Sequence, residues 1–313
     1  IMATGSFDVA RYGTLYDVQY DFMAQRLAAG FADGVVRIFS SDMHELITEL
    51  RGHRKPVLSV AWGQGGRFSS LMASGSEDGQ VFIWREERPG AFEQFHAFNI
   101  TSAANTVAFA PSDFGLVLGV AGGDELGVIT IKTMPSKPMQ SGGQQWQARS
   151  FPGHPGGVTA LSWAPSTSAA TLASGPAVNR ATTLAPCRFV TGGEDGQACV
   201  WLRDDKTDTW ALDCSLDVAS LSTSAIRDVA WRPNLGIPSS VIATCQQDGT
   251  VAIWTQDIGG MPWRQQCHWN VNGDARRLTW SKAGTVLGVS VGDADTFLYQ
   301  ATKTGPWIAI ESN

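Results

Sequence analysis

The chain has 313 residues, a formal net charge of −6 and a pI near 5.4, and so lacks the basic stripes that mark a general nucleic-acid binder. Two short basic groups, Arg51, His53, Arg54 and Lys55 and then Arg276 and Arg277, read as solvated loop or strand ends in so acidic a chain. No apolar run reaches the roughly 18 residues of a membrane-spanning helix, and IMATGSF at the start has neither the basic nor the apolar region of a secretory signal.

One pattern then recurs along the chain: a short alternating strand ending in an aromatic residue, a second strand, a tight turn, a third strand and a less regular fourth. Residues 14–52 hold YDVQYD, the weakest first strand, then RLAAGFADGVVRIF and ELITEL. Residues 53–99 hold VLSVAW, LMASGSEDGQVFIW and FEQFHAF, and residues 100–152 hold NTVAFAP, LVLGVAGGDELGVITI and WQARSF. Residues 153–217 carry VTALSWAP, RFVTGGEDGQACVW and WALDCSL; residues 218–270 carry IRDVAWRP, VIATCQQDGTVAIW and WRQQCHW. The last copy, 271–313, is ARRLTWS, TVLGVSVGDADTFLY and PWIAIE.

The third strands end at Phe39, Trp84, Ile131, Trp201, Trp254 and Tyr299, at spacings of 45, 47, 70, 53 and 45 residues. The long interval contains a 21-residue small-residue stretch, 166–186, and without it the spacing returns to 49. So poor an apolar content predicts a mobile loop there. A period of about 45 residues with four strands per unit predicts β-propeller blades. The expectation is an all-β, six-bladed propeller over residues 1–313 as one domain. Asp33–Gly34, Asp78–Gly79, Asp195–Gly196 and Asp248–Gly249 supply the positive φ that tight hairpins need.

The repeat resembles the WD-repeat family over nearly the whole chain, with Gly52–His53 and Gly153–His154 in place of that family's Gly-His mark. The resemblance implies that a His, a turn Asp, a second-strand Ser or Thr and a strand-end Trp form a buried hydrogen-bonded set. The matching residues are His53, Asp78, Ser74 and Trp84, then His154, Asp195, Thr191 and Trp201. In the fifth blade Thr244, Asp248 and Trp254 match, but Ser222 stands where His is expected. Blades one, three and six lack most of the set.

Ser, His and Asp together suggest a hydrolase triad, yet the set recurs with Ser and Thr interchanged, at hairpins, beside an indole N–H that needs a partner. No nucleophile elbow, P-loop, metalloprotease or dinucleotide motif occurs. No catalytic, cofactor or metal residue is therefore assigned. The five cysteines, Cys187, Cys199, Cys214, Cys245 and Cys267, form no Cys-x-x-Cys pair, which argues against a disulfide framework or a zinc site and for a reducing, cytosol-facing compartment. Asn99-Ile100-Thr101 is a sequon without a secretory context. Trp263, Trp269 and Trp280 read as core before they read as base-stacking platforms.

Stretches such as LITELRGHRKPVLSVAW and IRDVAWRPNLGIPSSVIATCQQDGTVAIWT are similar to the Sec-thirteen family of WD-repeat propellers, with Phe39 and Tyr299 in place of Trp as departures. That resemblance implies a non-enzymatic scaffold of the COPII vesicle coat, shared with the nuclear pore scaffold and with a nutrient-signalling complex. Its localisation would be the ER-exit-site coat and the nuclear envelope. The implied partner is an α-solenoid protein, the large cage subunit or a helical nucleoporin, that donates strands to complete the ring; no direct nucleic-acid contact or membrane insertion is implied. The sixth blade has four strands of its own, and SFDVARYGTLYD is not needed to finish the first, so no N-terminal clasp is expected. Apolar Phe7, Val9, Leu15, Val35, Phe39, Leu278, Phe297 and Tyr299 are expected around the resulting open edge. Such an edge favours aggregation of the lone chain. The competing readings are a peptide-binding WD-repeat adaptor, which closes its own ring and presents a pocket, a pore-specific paralogue, and an enzyme.

Overall fold

The computed structural model describes residues 9–134, 146–166, 185–233, 239–257, 261–292, 295–302 and 307–310. These residues form six four-stranded antiparallel sheets, each a meander of consecutive strands. The first sheet is β1 (Leu15–Tyr20), β2 (Arg26–Phe31), β3 (Val35–Ser40) and β4 (Leu46–Arg51); the second is β5 (Val57–Trp62), β6 (Leu71–Ser76), β7 (Gln80–Arg88) and β8 (Ala91–Asn99). The third is β9 (Ala104–Phe109), β10 (Leu116–Gly122), β11 (Val128–Met134) and β12 (Gln147–Pro152). The fourth is β13 (Val158–Trp163), β14 (Arg188–Gly193), β15 (Ala198–Asp204) and β16 (Thr209–Leu216). The fifth is β17 (Ile226–Trp231), β18 (Ser240–Gln246), β19 (Thr250–Gln256) and β20 (Arg264–Asn270), and the sixth is β21 (Ala275–Trp280), β22 (Val286–Val291), β23 (Asp295–Ala301) and β24 (Trp307–Ile310). The fold is an all-β, six-bladed β-propeller, with only short 3-10 turns as helical structure among the described residues. The chain forms two compact units, 1–124 with 128–151 and 125–127 with 152–313.

The second strands β6 and β18 are buried on both faces, because the second and fifth blades each pack between two neighbours of their unit. Small residues permit this approach: a Cβ at Gly75 would lie 2.8 Å from a Val107 methyl of the next blade, and one at Gly192 2.4 Å from an Ile226 methyl. The hairpin glycines Gly34, Gly79, Gly196 and Gly249 hold φ of 77°, 77°, 72° and 87°, a region nearly closed to other residues. The preceding Asp carboxylate accepts the N–H two residues on, at 2.9–3.1 Å (Val35, Gln80, Gln197, Thr250).

Cross-strand register gives each blade two faces. In the second blade Val60, Trp62, Met72, Phe82 and Trp84 share the face packed on the first blade's Ala28, Val36 and Ile38. The opposite face, with Val81 and Ile83, packs on the third blade's Val107, Phe109 and Leu118. In the second unit the fourth and fifth blades meet through Val190 and Val200 against Val229 and Trp231, and the fifth and sixth through Val251 and Ile253 against Leu278 and Leu287. Two guanidiniums bind blades within their units. Arg26 lies over the Trp62 ring at 4.6 Å and bonds Asp21 at 2.8 Å and Glu86, and Arg188 lies over Trp231 at 5.2 Å and bonds Gln256 at 3.0 Å.

Register corrects one expectation. The residue opposite Leu118, in the place of Trp84, is Lys132 rather than Ile131; its ammonium lies over the Phe98 ring at 4.4 Å. In the stretch 166–186 the described ends are tied down: Ser166 and Ala185 are buried and joined by a 3.0 Å backbone hydrogen bond. Residues 167–184, on which the mobile-loop expectation mainly falls, lie outside the described residues.

Candidate functional site

Strand pairing brings the WD-type polar residues together. In the fourth blade the Trp201 indole N–H donates to Thr191 Oγ1 at 2.8 Å, and that hydroxyl lies 2.8 Å from His154 Nε2. His154 Nδ1 faces the Asp195 carboxylate at 3.0 Å. Each group in the set meets a partner: the Thr191 hydroxyl lies between the indole N–H and Nε2, and Nδ1 faces Asp195. Gly127 makes room for it, since a Cβ there would lie 1.8 Å from the His154 carbonyl oxygen.

The second blade repeats the pattern with one slack link. Trp84 Nε1 donates to Ser74 Oγ at 2.9 Å and Ser74 meets His53 Nε2 at 2.8 Å. His53 Nδ1 lies 3.6 Å from Asp78, an electrostatic contact rather than a hydrogen bond. The Asp78 carboxylate instead accepts the backbone N–H of Arg54 and Gln80 at 2.8 and 2.9 Å. Burial alone would raise that carboxyl, but these donors and His53 outweigh it and hold it below the usual range. Burial pushes the His53 imidazole down, with Asp78 opposing.

The fifth blade shows what replaces histidine. Trp254 Nε1 donates to Thr244 Oγ1 at 3.1 Å. Burial would raise the Asp248 carboxyl, but the Ser222 hydroxyl and Thr250 outweigh it. Gln246, which sequence reasoning missed, sends its amide to the Ser222 and Ser224 carbonyls at 3.0 and 2.9 Å. In the first blade Arg37 binds Asp33 at 2.7 Å between the Tyr12 and Phe31 rings.

None of this is arranged for catalysis. Ser74 and Thr191 have no exposed surface, and each hydroxyl already receives an indole N–H. Burial raises the Cys187 thiol to about 12 and the Cys214 and Cys267 thiols to about 11, so all three stay protonated at neutral pH and are poor nucleophiles or ligands. Among the described residues no group of three or more His, Cys, Asp and Glu side chains is placed to hold a metal ion, and no helix is long and apolar enough to cross a membrane.

The two ends of the blade series differ from its middle. Val18 and Tyr20 of β1 occupy the places of Val60 and Trp62, yet they are 47% and 49% exposed. Val60, Val107, Leu161, Val229 and Leu278, the counterparts of Val18, are all at 8% or less. At the other end, Thr296 and Leu298 occupy the places of Val36 and Ile38 in the first blade and Val251 and Ile253 in the fifth. Those four are at 0%, whereas Leu298 is 38% exposed and Thr296 is exposed too. Ile308, on the same face as Leu298, is 54% exposed.

The expected edge residues fall unevenly on these surfaces. Leu15 is exposed on the same face as Val18. Val35 and Phe39 share that face but are buried; Phe39 clusters with Leu27, Ala29 and Phe31 under Val9 and Tyr12. Leu278, Phe297 and Tyr299 lie on the opposite side of their blade from Leu298, the side packed on the fifth blade. Leu278 is buried there, Phe297 is exposed, and Tyr299 tilts against Trp269 at 4.7 Å. Phe7 lies outside the described residues. All four strands of the sixth sheet come from residues 275–310, and β1 pairs with β2 in the first.

Stacked four-stranded blades with indole–hydroxyl–imidazole locks define a WD-repeat β-propeller, and the WD domain, G-beta repeat family matches residues 44–85 and 145–201. A chain of the "Crystal Structure of Mitotic Checkpoint Complex" superposes with a TM-score of 0.67 at 18% identity, over 92% of this chain and 74% of that one, which speaks to the fold alone. Among curated proteins, "Protein SEC13 homolog" of Drosophila melanogaster is 33% identical over 310 residues, covering 97% of this chain and 82% of that protein. "Protein transport protein sec13" of Emericella nidulans is 31% identical over 94% of this chain and 93% of its own length. The chain belongs to the Sec13 family.

Proposed function

We propose that this chain is a non-enzymatic scaffold subunit of a protein-transport coat, completed by a blade from an elongated α-solenoid partner. The vesicle coat of ER-to-Golgi transport is its principal assembly, and the same edge serves the outer ring of the nuclear pore. The observation that carries the reading is the exposure of Val18 at a repeat position buried in the other five blades, and of Tyr20 where Trp62, Phe109, Trp163 and Trp231 are buried, matched by Thr296 and Leu298 at the far end of the series. Related proteins named for protein transport support the assignment. A donated blade would cover the exposed Val18 and Tyr20 face, and an obligate contact of this class buries an area of order 2,000 Å² or more. The polar constellations support a structural role because each is enclosed and internally satisfied.

The test is affinity isolation of the chain from cell extract, with identification of the large chains that co-purify, beside the double variant Val18→Asp, Tyr20→Asp. The wild-type chain should retain a large helical partner and the variant should lose it while keeping its melting temperature. Retention of the same partner by the variant would overturn the reading.

A further inference from the structure

Among the hydrogen bonds that join first strands of successive blades, two carry the Trp62 and Trp280 indole N–H to the Gln19 and Ala230 carbonyls at 3.0 and 3.1 Å, and five others share one chemistry. A side-chain oxygen on the earlier strand accepts a backbone N–H of the later one. Asp17 accepts from Val60 at 3.0 Å, Gln19 from Trp62 at 2.6 Å and Ser59 from Val107 at 3.2 Å. Ser162 accepts from Trp231 at 2.9 Å and Asp228 from Leu278 at 2.8 Å. The reason is geometric. In an antiparallel ladder every second residue turns its N–H away from its partner strand. On first strands these edge groups look for an acceptor outside the ladder; those named take it from the earlier blade, whereas Val229 takes it from the adjacent Asp228 carboxylate at 2.9 Å.

The same geometry holds on β1. Asp21 N–H donates to the Arg26 carbonyl at 2.9 Å, so the pairs Val18–Ala29 and Tyr20–Leu27 are the non-hydrogen-bonded ones. The N–H groups of Val18 and Tyr20 therefore point off the sheet edge, as those of Val60 and Trp62 do. The last blade has no carboxylate or hydroxyl at the position of Asp17, Ser59 and Asp228: there it carries Arg277, a side chain that only donates.

We infer that the strand a partner lays against β1 carries at least one oxygen-bearing side chain, of the Asp, Asn, Gln or Ser type, that accepts the Val18 or the Tyr20 N–H. This rests on the blade-donation reading and specifies which strand fits. Residues i and i+2 of a strand share one face, so a single strand can supply both acceptors, as β1 does with Asp17 and Gln19, or one, as β5, β13 and β17 do with Ser59, Ser162 and Asp228. A strand with only apolar residues at these places would cover Val18 and Tyr20 yet leave two backbone donors unpaired.

The test uses the full chain extended by a long flexible linker and a second copy of its own fifth blade, residues 218–270, whose Asp228 matches Asp17. The linker makes docking effectively intramolecular. Residue-resolved hydrogen exchange is read over residues 14–24, together with the melting temperature. With the unaltered copy the Val18 amide should exchange at least about tenfold slower than with a copy bearing Asp228→Leu, an effect of one lost hydrogen bond. A copy with Asp228→Asn should keep the protection, and Ala230→Ser in the copy should add protection at Tyr20. Equal slowing by the Asp228 and Leu copies, with a raised melting temperature in both, would overturn the acceptor inference and leave blade donation standing. Slowed exchange within the copy itself but none over residues 14–24, with any copy, would overturn the inference.

Discussion

Replacing Thr191 by valine isolates the hydrogen bonds of a blade lock from its packing, because the two side chains have nearly the same shape. The hydroxyl sits 2.8 Å from both Trp201 Nε1 and His154 Nε2, with no exposed surface. Thr191→Val leaves a buried indole N–H and a buried imidazole nitrogen without partners, each costing about 1–3 kcal/mol, so together about 2–6 kcal/mol. Thr191→Ser keeps both hydrogen bonds and removes one methyl, about 1 kcal/mol. Urea unfolding followed by tryptophan fluorescence should show a midpoint shift for the valine variant at least twice that for serine. In a Trp201→Phe background, where the indole donor is gone, the valine substitution should cost less than in the wild type. If Thr191→Val proved no worse than Thr191→Ser, the hydroxyl would not be holding the blade, and the lock would be a packing feature only.

In the second blade, Trp84→Ala should destabilise by roughly 3–5 kcal/mol through the cavity it leaves, and Asp78→Ala by about 1–3 kcal/mol by stripping an acceptor from the Arg54 and Gln80 N–H groups; thermal melts check both. Acid should weaken the fold. Burial holds the His53 pKa below its ordinary 6.5, so below that pH the unfolded chain binds protons the folded one refuses, and stability declines as pH falls from about 6.5. Melts at pH 7.5 and 5.5 should differ less in His53→Gln than in the wild type. His96→Gln serves as the comparison, because burial and then Lys132 lower His96 as well. Leu298→Asp should weaken partner capture in pull-downs without lowering the melting temperature, whereas Val35→Asp should unfold the first blade. Elemental analysis should find no stoichiometric zinc, and titration with ATP should show no saturable binding.

Most of the blade plan was legible because it is local chemistry. An Asp-Gly pair with an Asx acceptor writes a hairpin wherever it falls, and period-two strands between such turns fix which residues share a face. The locks were legible through the WD-repeat resemblance, down to the Ser222 departure, although Gln246 reads as one more strand residue until its amide is seen pinning Ser222 and Ser224. The end surfaces were not legible. Alternation says that Val35, Phe39 and Leu278 are apolar and in step, but not what lies over them. Phe39 is covered by the chain's own Tyr12, and Leu278 by the fifth blade. Val18 and Tyr20 sit in YDVQYD, the weakest copy of the first-strand motif. Their tyrosine and short aliphatic chain signal nothing until the burial of five counterparts is set beside them. Lys132 escaped because the turn before β11 is longer than in the other blades, which moves the residue opposite Leu118 further along the strand.

Each sheet is written as one unbroken length of chain, from β1–β4 through β21–β24. In a ring whose last sheet borrows a strand from the chain's beginning, that sheet waits for a contact spanning nearly the whole sequence, the kind of loop closure that slows folding. Here the first sheet holds all of its own strands once Arg51 has left the ribosome, and every later one can assemble on a finished neighbour. Synthesis, at about 5–20 residues per second, then spaces successive sheets by a few seconds. Pausing translation between blades should therefore leave nascent chains carrying whole numbers of protease-resistant sheets.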